Sequence, residues 1–105
     1  MLELCILSLL HRQDSYGYDL AKGLSQHIET ANGTVYQILR RLTSAGLIAA
    51  DFSEERGGHL RKYYSLTAIG HEAYQQQKQE WLMFTNTIDE ILRNAEKPTQ
   101  IEVIG

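Results

Sequence analysis

Side chains that can contact a nucleic acid are concentrated in two short segments of this sequence. The hydroxyl, amide and guanidinium groups of the first segment belong to Thr34, Tyr36, Gln37, Arg40 and Arg41. The second segment carries the cationic donors Arg56, His59, Arg61 and Lys62. It also contains Gly58, which permits close approach of the backbone. Arginine can pair with a guanine edge and glutamine with adenine, while hydroxyls and cations bind phosphate. These residue types in two groups indicate contact with DNA.

The charges of the chain are unevenly distributed, although the net charge of −3 does not favour a nucleic-acid ligand. Residues 67–105 hold three basic and six acidic residues, whereas residues 11–66 hold seven basic and six acidic residues. The local field matters more than the net charge for binding a polyanion. The positive balance of residues 11–66 therefore agrees with the same interpretation.

Length and composition place the chain in the class of small globular domains. Its 105 residues suffice for one domain, and 43% hydrophobic with 22% charged residues is an ordinary globular composition. The single cysteine, Cys5, excludes an internal disulfide and agrees with a reducing compartment. The longest apolar run, over residues 4–10, is too short to span a bilayer and lacks the flanks of a secretory signal. We therefore expect a cytoplasmic protein without a membrane partner.

Apolar periodicity predicts two short helices in the first part of the chain. The apolar positions of the first, at helical spacing, are Leu2, Cys5, Ile6, Leu9 and Leu10. The second is expected to start at a cap on Asp14 or Ser15 and to run through Ile28. Its first turn would then carry Tyr16 and Tyr18.

A third predicted helix carries the first group of polar residues. It opens at the cap signal of residues 32–34 and ends at Gly46. Its core-facing stripe consists of Val35, Ile38, Leu39 and Leu42. Gln37, Arg40 and Ser44 lie on the opposite face, so this helix presents long hydrogen-bonding side chains to solvent.

From Leu47 onward the pattern changes to that of strands. Residues 47–52 and 60–66 are β-compatible runs separated by a loop with two glycines, which predicts a hairpin. Thr67 then caps a long helix that continues to about Ala95, ahead of Pro98. Three helices followed by a hairpin make a winged helix-turn-helix, whose third helix fits a major groove and whose hairpin contacts phosphates.

We therefore predict a mainly α (α+β) fold with a two-stranded wing and a long C-terminal helix. The DNA-binding domain is expected to span residues 1–66, the dimerisation helix residues 67–97 and a tail residues 98–105. A two-fold dimer presents two copies of the third helix, so its operator should be an inverted repeat in double-stranded DNA.

Short motifs in fixed order over residues 2–72 are similar to those of one known family. They are Leu2-Glu3-Leu4-Cys5-Ile6-Leu7, Tyr16-Gly17-Tyr18-Asp19-Leu20, Gly33-Thr34-Val35-Tyr36, Leu39-Arg40-Arg41-Leu42, Gly46-Leu47-Ile48, Arg61-Lys62-Tyr63-Tyr64-Ser65-Leu66-Thr67 and Gly70. On these motifs the chain resembles the PadR family of transcriptional regulators, in its short-tailed form. The resemblance implies a repressor whose DNA contacts include Tyr16, Tyr18, Thr34, Tyr36, Arg40 and Arg61.

The sequence departs from the family pattern in two places. Gln37 stands where the family often has proline, which we expect to alter base readout more than the fold. Relatives often carry a leader before the first helix, so any DNA or dimer contact made by that leader is expected to be missing or trimmed here.

The predicted long helix carries a seam typical of a helical dimer interface. At alternating spacings of three and four residues, the seam consists of Tyr74, Gln77, Trp81, Phe84, Ile88, Ile91 and Ala95. Leu82, Met83 and Leu92 lie off this seam and are expected to face the first helix of the same protomer. One protomer has too little core to cover both sides, so we predict a homodimer.

The resemblance also implies an effector pocket between the subunits. In some short-tailed relatives, flat aromatic drugs lodge against a tryptophan of this helix, and Trp81 stands at the matching place, fourteen residues after Thr67. We expect Leu9 of the first helix to line the same pocket. Two indoles could sandwich a planar aromatic ligand, and Glu80 would favour a cationic one.

One alternative function stays open at this point: a winged-helix module that binds proteins and ignores DNA. Such a module should expose apolar residues on its third helix, where this sequence has Gln37, Arg40 and Ser44. The polar face therefore favours DNA binding.

Enzymatic and metal-dependent functions have little support in the sequence. The four histidines and Cys5 lack the spacing of metal ligands. Tyr74 and Lys78 have the spacing of a dehydrogenase pair, but no Gly-rich strand–helix turn precedes them. No nucleophile elbow is present either. We expect no catalytic residue, no metal and no cofactor.

Overall fold

A computed structural model describes residues 1–54 and 60–98 of the chain. Its elements in chain order are α1 (Leu2–Arg12), β1 (Ser15–Tyr16), α2 (Gly17–Ser25), α3 (Asn32–Ser44), β2 (Ile48–Glu54), β3 (Leu60–Leu66) and α4 (Ala68–Ala95). The strands form one antiparallel sheet in the order β1-β3-β2. The predicted fold class is confirmed, since three short helices and a β2–β3 hairpin precede one long helix.

The hydrophobic core is enclosed by α1, α2, α3 and the inner end of the sheet. The predicted apolar stripe of α3 is buried throughout its length. Ile6 and Leu7 of α1 are fully buried, and Leu20 of α2 and Ile48 of β2 complete the same cluster. Because one face of α3 is taken up by this core, its polar face is left outside.

The start of α2 differs from the sequence-based expectation. Neither Asp14 nor Ser15 caps this helix, since Tyr16 occupies the N-cap position and the Ser15 hydroxyl donates to the Gln13 carbonyl at 3.1 Å. Tyr16 is extended because Ser15–Tyr16 forms a strand that pairs with Tyr63 and Tyr64 of β3. The sheet therefore has three strands in place of the predicted two. The helix also ends earlier than expected, at Ser25.

The C-terminal end of α3 and the N-terminal end of α4 are joined by hydrogen bonds. Gly46, which ends the α3 segment as predicted, has a positive φ of 77°. The Thr67 hydroxyl donates to the Gly46 carbonyl at 2.6 Å and accepts from the Gly70 amide at 3.0 Å. The Thr67 amide donates to the Leu47 carbonyl at 3.1 Å. Thr67 thus caps α4, as predicted, and holds that helix against the turn that follows α3.

Most of α4 extends away from the rest of the fold. The residues that it buries, Gly70 and Tyr74, both lie in its first two turns. The prediction that Leu82, Met83 and Leu92 face α1 is wrong, because each remains at least half exposed. Within the described residues, no helix is long and apolar enough to cross a membrane.

Candidate nucleic-acid interface

An open cleft of about 420 Å³ lies where the start of α2, the polar face of α3 and strand β3 meet. The residues that line it are Tyr16, Gly17, Tyr18, Tyr36, Arg40, Arg61, Lys62 and Tyr64. Six of these were predicted from the sequence as DNA contacts. The fold therefore brings together side chains from positions 16–18, 36–40 and 61–64, which the sequence alone could only place on separate elements.

A hydrogen bond and a ring contact connect the start of α2 to the wing strands. The Tyr16 hydroxyl donates to Ser53 Oγ of β2 at 3.1 Å. The Tyr16 ring also meets the ring of Tyr63 edge-on, with centroids 4.9 Å apart. These contacts hold β1 and the following helix at a fixed position beside the hairpin, so both walls of the cleft belong to one packed unit.

Gly17 allows two tyrosine rings to lie close to the backbone at the start of α2. A Cβ placed on Gly17 would lie 2.9 Å from Cε1 of Tyr36 and 3.4 Å from Cε2 of Tyr64. Such a contact with Tyr36 is closer than carbon atoms tolerate, so a larger residue would displace that ring. The absence of a side chain at Gly17 therefore lets the rings of Tyr36 and Tyr64 pack against the start of α2, where they line the cleft.

The cleft combines positive charge with the hydroxyl of Tyr64. Arg40 is exposed on α3, and Lys62 is exposed on β3. Burial raises the pKa of the Tyr64 hydroxyl above its ordinary value of 10.0, Tyr36 raises it further, and the Arg40 guanidinium lowers it. With a raised pKa, Tyr64 remains protonated at neutral pH and can donate a hydrogen bond.

The remaining described residues predicted to contact DNA do not line the cleft, and they differ in their exposure and their partners. Gln37 is exposed on α3, and Thr34 is half-buried in its first turn. Arg41 points elsewhere, because its Nε donates to Oε1 of Glu3 on α1 at 2.7 Å. This ion pair gives Arg41 a role in fixing α1 against α3, and its contact with DNA stays a prediction. The wing residues Arg56, Gly58 and His59 lie outside the described residues.

Sequence reasoning missed Gly17 and Tyr64 as parts of this site. Tyr64 was assigned only to a strand that returns from the wing, and Gly17 only to a family motif. The alternation along β3 was the available signal, since it places Tyr64 on the same face of the sheet as Lys62, which was already a predicted contact.

The residues predicted for the effector pocket lie along α4. Trp81 and Phe84 are exposed neighbours with ring centroids 6.0 Å apart. Ile88 and Ile91 follow on the same exposed seam, and Gln77 is half-buried. Tyr74 is instead part of the protomer's own core.

The Tyr74 ring stacks on that of His11, with centroids 4.5 Å apart. Leu9 packs half-buried against the core and lines a groove between α1, α2 and α4. His71 of α4 also meets His11 edge-on, at a centroid distance of 5.9 Å. In the described parts of the chain, no three histidine, cysteine or acidic side chains form a group able to hold a metal ion.

Comparison with known proteins assigns this arrangement to a family. The sequence profile described as "Transcriptional regulator PadR-like family" matches residues 6–76, which include most of α1, the cleft and the start of α4. The chain belongs to the PadR-like family.

Solved structures, two of them of PadR-like regulators, share the fold over most of their length. A PadR family transcription regulator from hypervirulent Clostridium difficile is 36% identical, with a TM-score of 0.78 over 86% of this chain and 96% of that one. A PadR-like transcriptional regulator from Bacillus cereus is 33% identical, with a TM-score of 0.79 over 87% and 90% of the two chains. A protein from Streptococcus mutans is 32% identical, with a TM-score of 0.82 over 92% and 91%.

Membership of the PadR-like family identifies the protein as a winged-helix, DNA-binding transcriptional regulator. The matched family and the two named regulators are transcription regulators, not enzymes. The cleft between α2, α3 and β3 is the part of the described structure that combines positive charge, hydroxyl donors and an exposed helix face. This cleft is therefore the candidate nucleic-acid interface.

Proposed function

We propose that this PadR-like protein is a dimeric repressor that binds an inverted repeat in double-stranded DNA and is released by a small planar aromatic ligand. The observation that supports DNA recognition most directly is the cleft, where exposed Arg40 on α3 lies beside Arg61 and Lys62 of the wing strand. A helix in the major groove with a neighbouring basic wing is the docking geometry of winged helix-turn-helix domains. Apolar side chains do not dominate the exposed face of α3, which disfavours a module that only binds proteins.

The exposed seam of α4 supports the dimer. Phe84 and Ile91 are 57% and 58% exposed, and Ile88 follows the same face. A helix with such an apolar face is stable in water only when another surface covers it. Since the predicted heptad pattern is self-complementary, a second copy of α4 is the partner that we propose.

DNA binding by this protein should weaken steeply with added salt. If a dimer neutralises about six to eight phosphates, log K should fall against log salt with a slope of about −5 to −7. Arg40→Ala should relax sequence preference, at a cost of about 1–3 kcal/mol, if Arg40 reads a base edge. Arg61→Ala should weaken all sequences alike and flatten the slope. Fluorescence anisotropy with a labelled duplex from upstream of the protein's own gene measures all three quantities.

Arg12→Ala is the matched control for these substitutions. Arg12 is exposed at the end of α1 and lines grooves away from the cleft, so its removal changes the net charge without touching the site. Binding that is unchanged in both Arg40→Ala and Arg61→Ala would contradict the assignment of the interface.

Ligand binding should be visible in the fluorescence of Trp81, which is the single tryptophan of the chain. Planar cationic dyes are expected to quench this fluorescence, because two indoles of a dimer can stack on both faces of a flat ligand. Trp81→Ala should lose most of the affinity when binding is followed by the fluorescence of the dye. Met83→Ala, a neighbouring exposed residue off the seam, should bind like the wild type. A dye that quenches the wild type and binds Trp81→Ala equally well would place the site elsewhere.

A further inference from the structure

Tyr64 combines a deeply buried ring with a position that lines the cleft. Its side chain is among the core residues, with only 5% of its surface exposed. Its hydroxyl makes no hydrogen bond to any residue of the described segments. No described polar side-chain atom is both fully buried and unpaired, so this hydroxyl must reach solvent, and the surface that it lines is the cleft. A hydroxyl held by a buried ring at the surface of a positive cleft is placed to donate to an acceptor that binds there.

The start of α2 supplies further donors at the same place. No side chain caps this helix, because its N-cap residue is Tyr16. The first backbone amides of a helix have no acceptor within it and carry the positive end of its dipole. Gly17, which is buried beside the rings of Tyr36 and Tyr64, and the exposed Tyr18 that follows it both line the cleft. The nearest helix carboxylate, Asp19, lines a different groove.

We propose that the cleft holds one phosphate group of the DNA backbone, and that Tyr64 donates a hydrogen bond to it together with the first amides of α2. This inference rests on the proposed DNA binding and adds to it a contact residue outside the basic and exposed set. Arg40 and Lys62 at the rim supply the positive charge that a phosphate requires. Burial fixes the orientation of the Tyr64 ring, so little side-chain entropy is lost when the phosphate binds.

Removing only the Tyr64 hydroxyl tests this contact, because the affinity for duplex DNA should then fall. Tyr64→Phe keeps the buried ring and the fold, and it is expected to weaken binding of the duplex about tenfold or more, since hydrogen bonds to charged groups are the stronger ones. Tyr63→Phe is the matched control, because Tyr63 is the neighbouring residue of β3, meets the Tyr16 ring edge-on and does not line the cleft. Thermal melting of both variants should match the wild type and so separate binding from folding.

A second measurement identifies the phosphate itself. Duplexes that carry one neutral methylphosphonate at successive positions lose a single backbone charge each. One position is expected to weaken the wild type and to have little further effect on Tyr64→Phe, because the two changes remove the same contact. Tyr64→Phe that binds like the wild type, or losses that simply add at every position, would overturn the phosphate site while DNA binding stands. A wild-type protein that binds no duplex even at low salt would contradict the proposed function and the phosphate site together.

Discussion

Replacing Ile88 by aspartate is expected to produce a monomer that binds its operator about a hundredfold or more weakly. Ile88 lies in the middle of the exposed seam of α4 and would be covered by its partner in the proposed dimer. A carboxylate there would be buried without a counter-charge, which is strongly unfavourable. Loss of the dimer then removes the second recognition helix, and with it the avidity of two linked half-site contacts. Analytical ultracentrifugation and anisotropy on the same samples measure the molar mass and the DNA affinity.

Asn86→Asp is the control for the charge of this substitution. Asn86 is exposed on α4 and lies two residues from Ile88, which places it on the opposite side of the helix. The Asn86→Asp variant should remain dimeric and bind DNA nearly as tightly as the wild type. A wild-type mass of one chain at micromolar concentration would contradict the dimer and also the effector pocket between subunits.

The second large effect is expected at Gly70, where alanine should destabilise the fold by about 3 kcal/mol or more. A Cβ on this residue would overlap the backbone carbonyl of Leu47, and backbone cannot move aside as a flexible side chain can. The same change would disturb the amide that Thr67 caps. For a domain of this size the melting temperature should fall by roughly 10–20 °C, which circular dichroism measures.

Gly33→Ala is a matched control, since Gly33 also lies in the first turn of a helix. Apart from its chain neighbours and the adjacent backbone of its own helix, no described atom lies within 4 Å of a Cβ built there. Alanine should therefore leave the melting temperature unchanged or raise it slightly, because it restricts the unfolded chain more than glycine does. Equal melting temperatures for Gly70→Ala and the wild type would contradict this prediction. They would show that the backbone between α3 and α4 can shift to make room for a Cβ at little cost in stability.

The sequence predicted the long elements well because local signals define them. The buried stripe of α3 and the cap at Thr67 follow from spacing and residue type, and both are confirmed. The short strand Ser15–Tyr16 was missed, since two residues show no periodicity and their partners Tyr63 and Tyr64 lie far along the chain. The same long-range pairing displaced the predicted start of α2.

The candidate site was predictable as a set of residue types and not as a shape. Arg40 and Lys62 could be recognised as exposed cations, whereas the shape of the cleft depends on how the rings of Tyr36 and Tyr64 pack against Gly17 of α2. A heptad pattern likewise gives spacing but not the identity of the covering surface. The first two turns of α4 are covered by α1, so Tyr74 became core, while the apolar residues beyond Trp81 were left exposed.

Because Thr67 joins the start of α4 to the end of α3, a rotation at Thr67 moves the far ends of these two helices by unequal distances. The 28 residues of α4 form an arm of about 42 Å, and the 13 residues of α3 span about 20 Å. In the proposed dimer, a rotation of about 5° around Thr67 would displace the far end of α4 by about 4 Å and the start of α3 by less than about 2 Å. A displacement of that size is enough to separate a bidentate side chain from a base edge. A ligand that separates the two α4 helices of the dimer by a few ångströms would therefore move each α3 by a smaller distance. That smaller movement is still large enough to weaken the contacts of α3 with DNA.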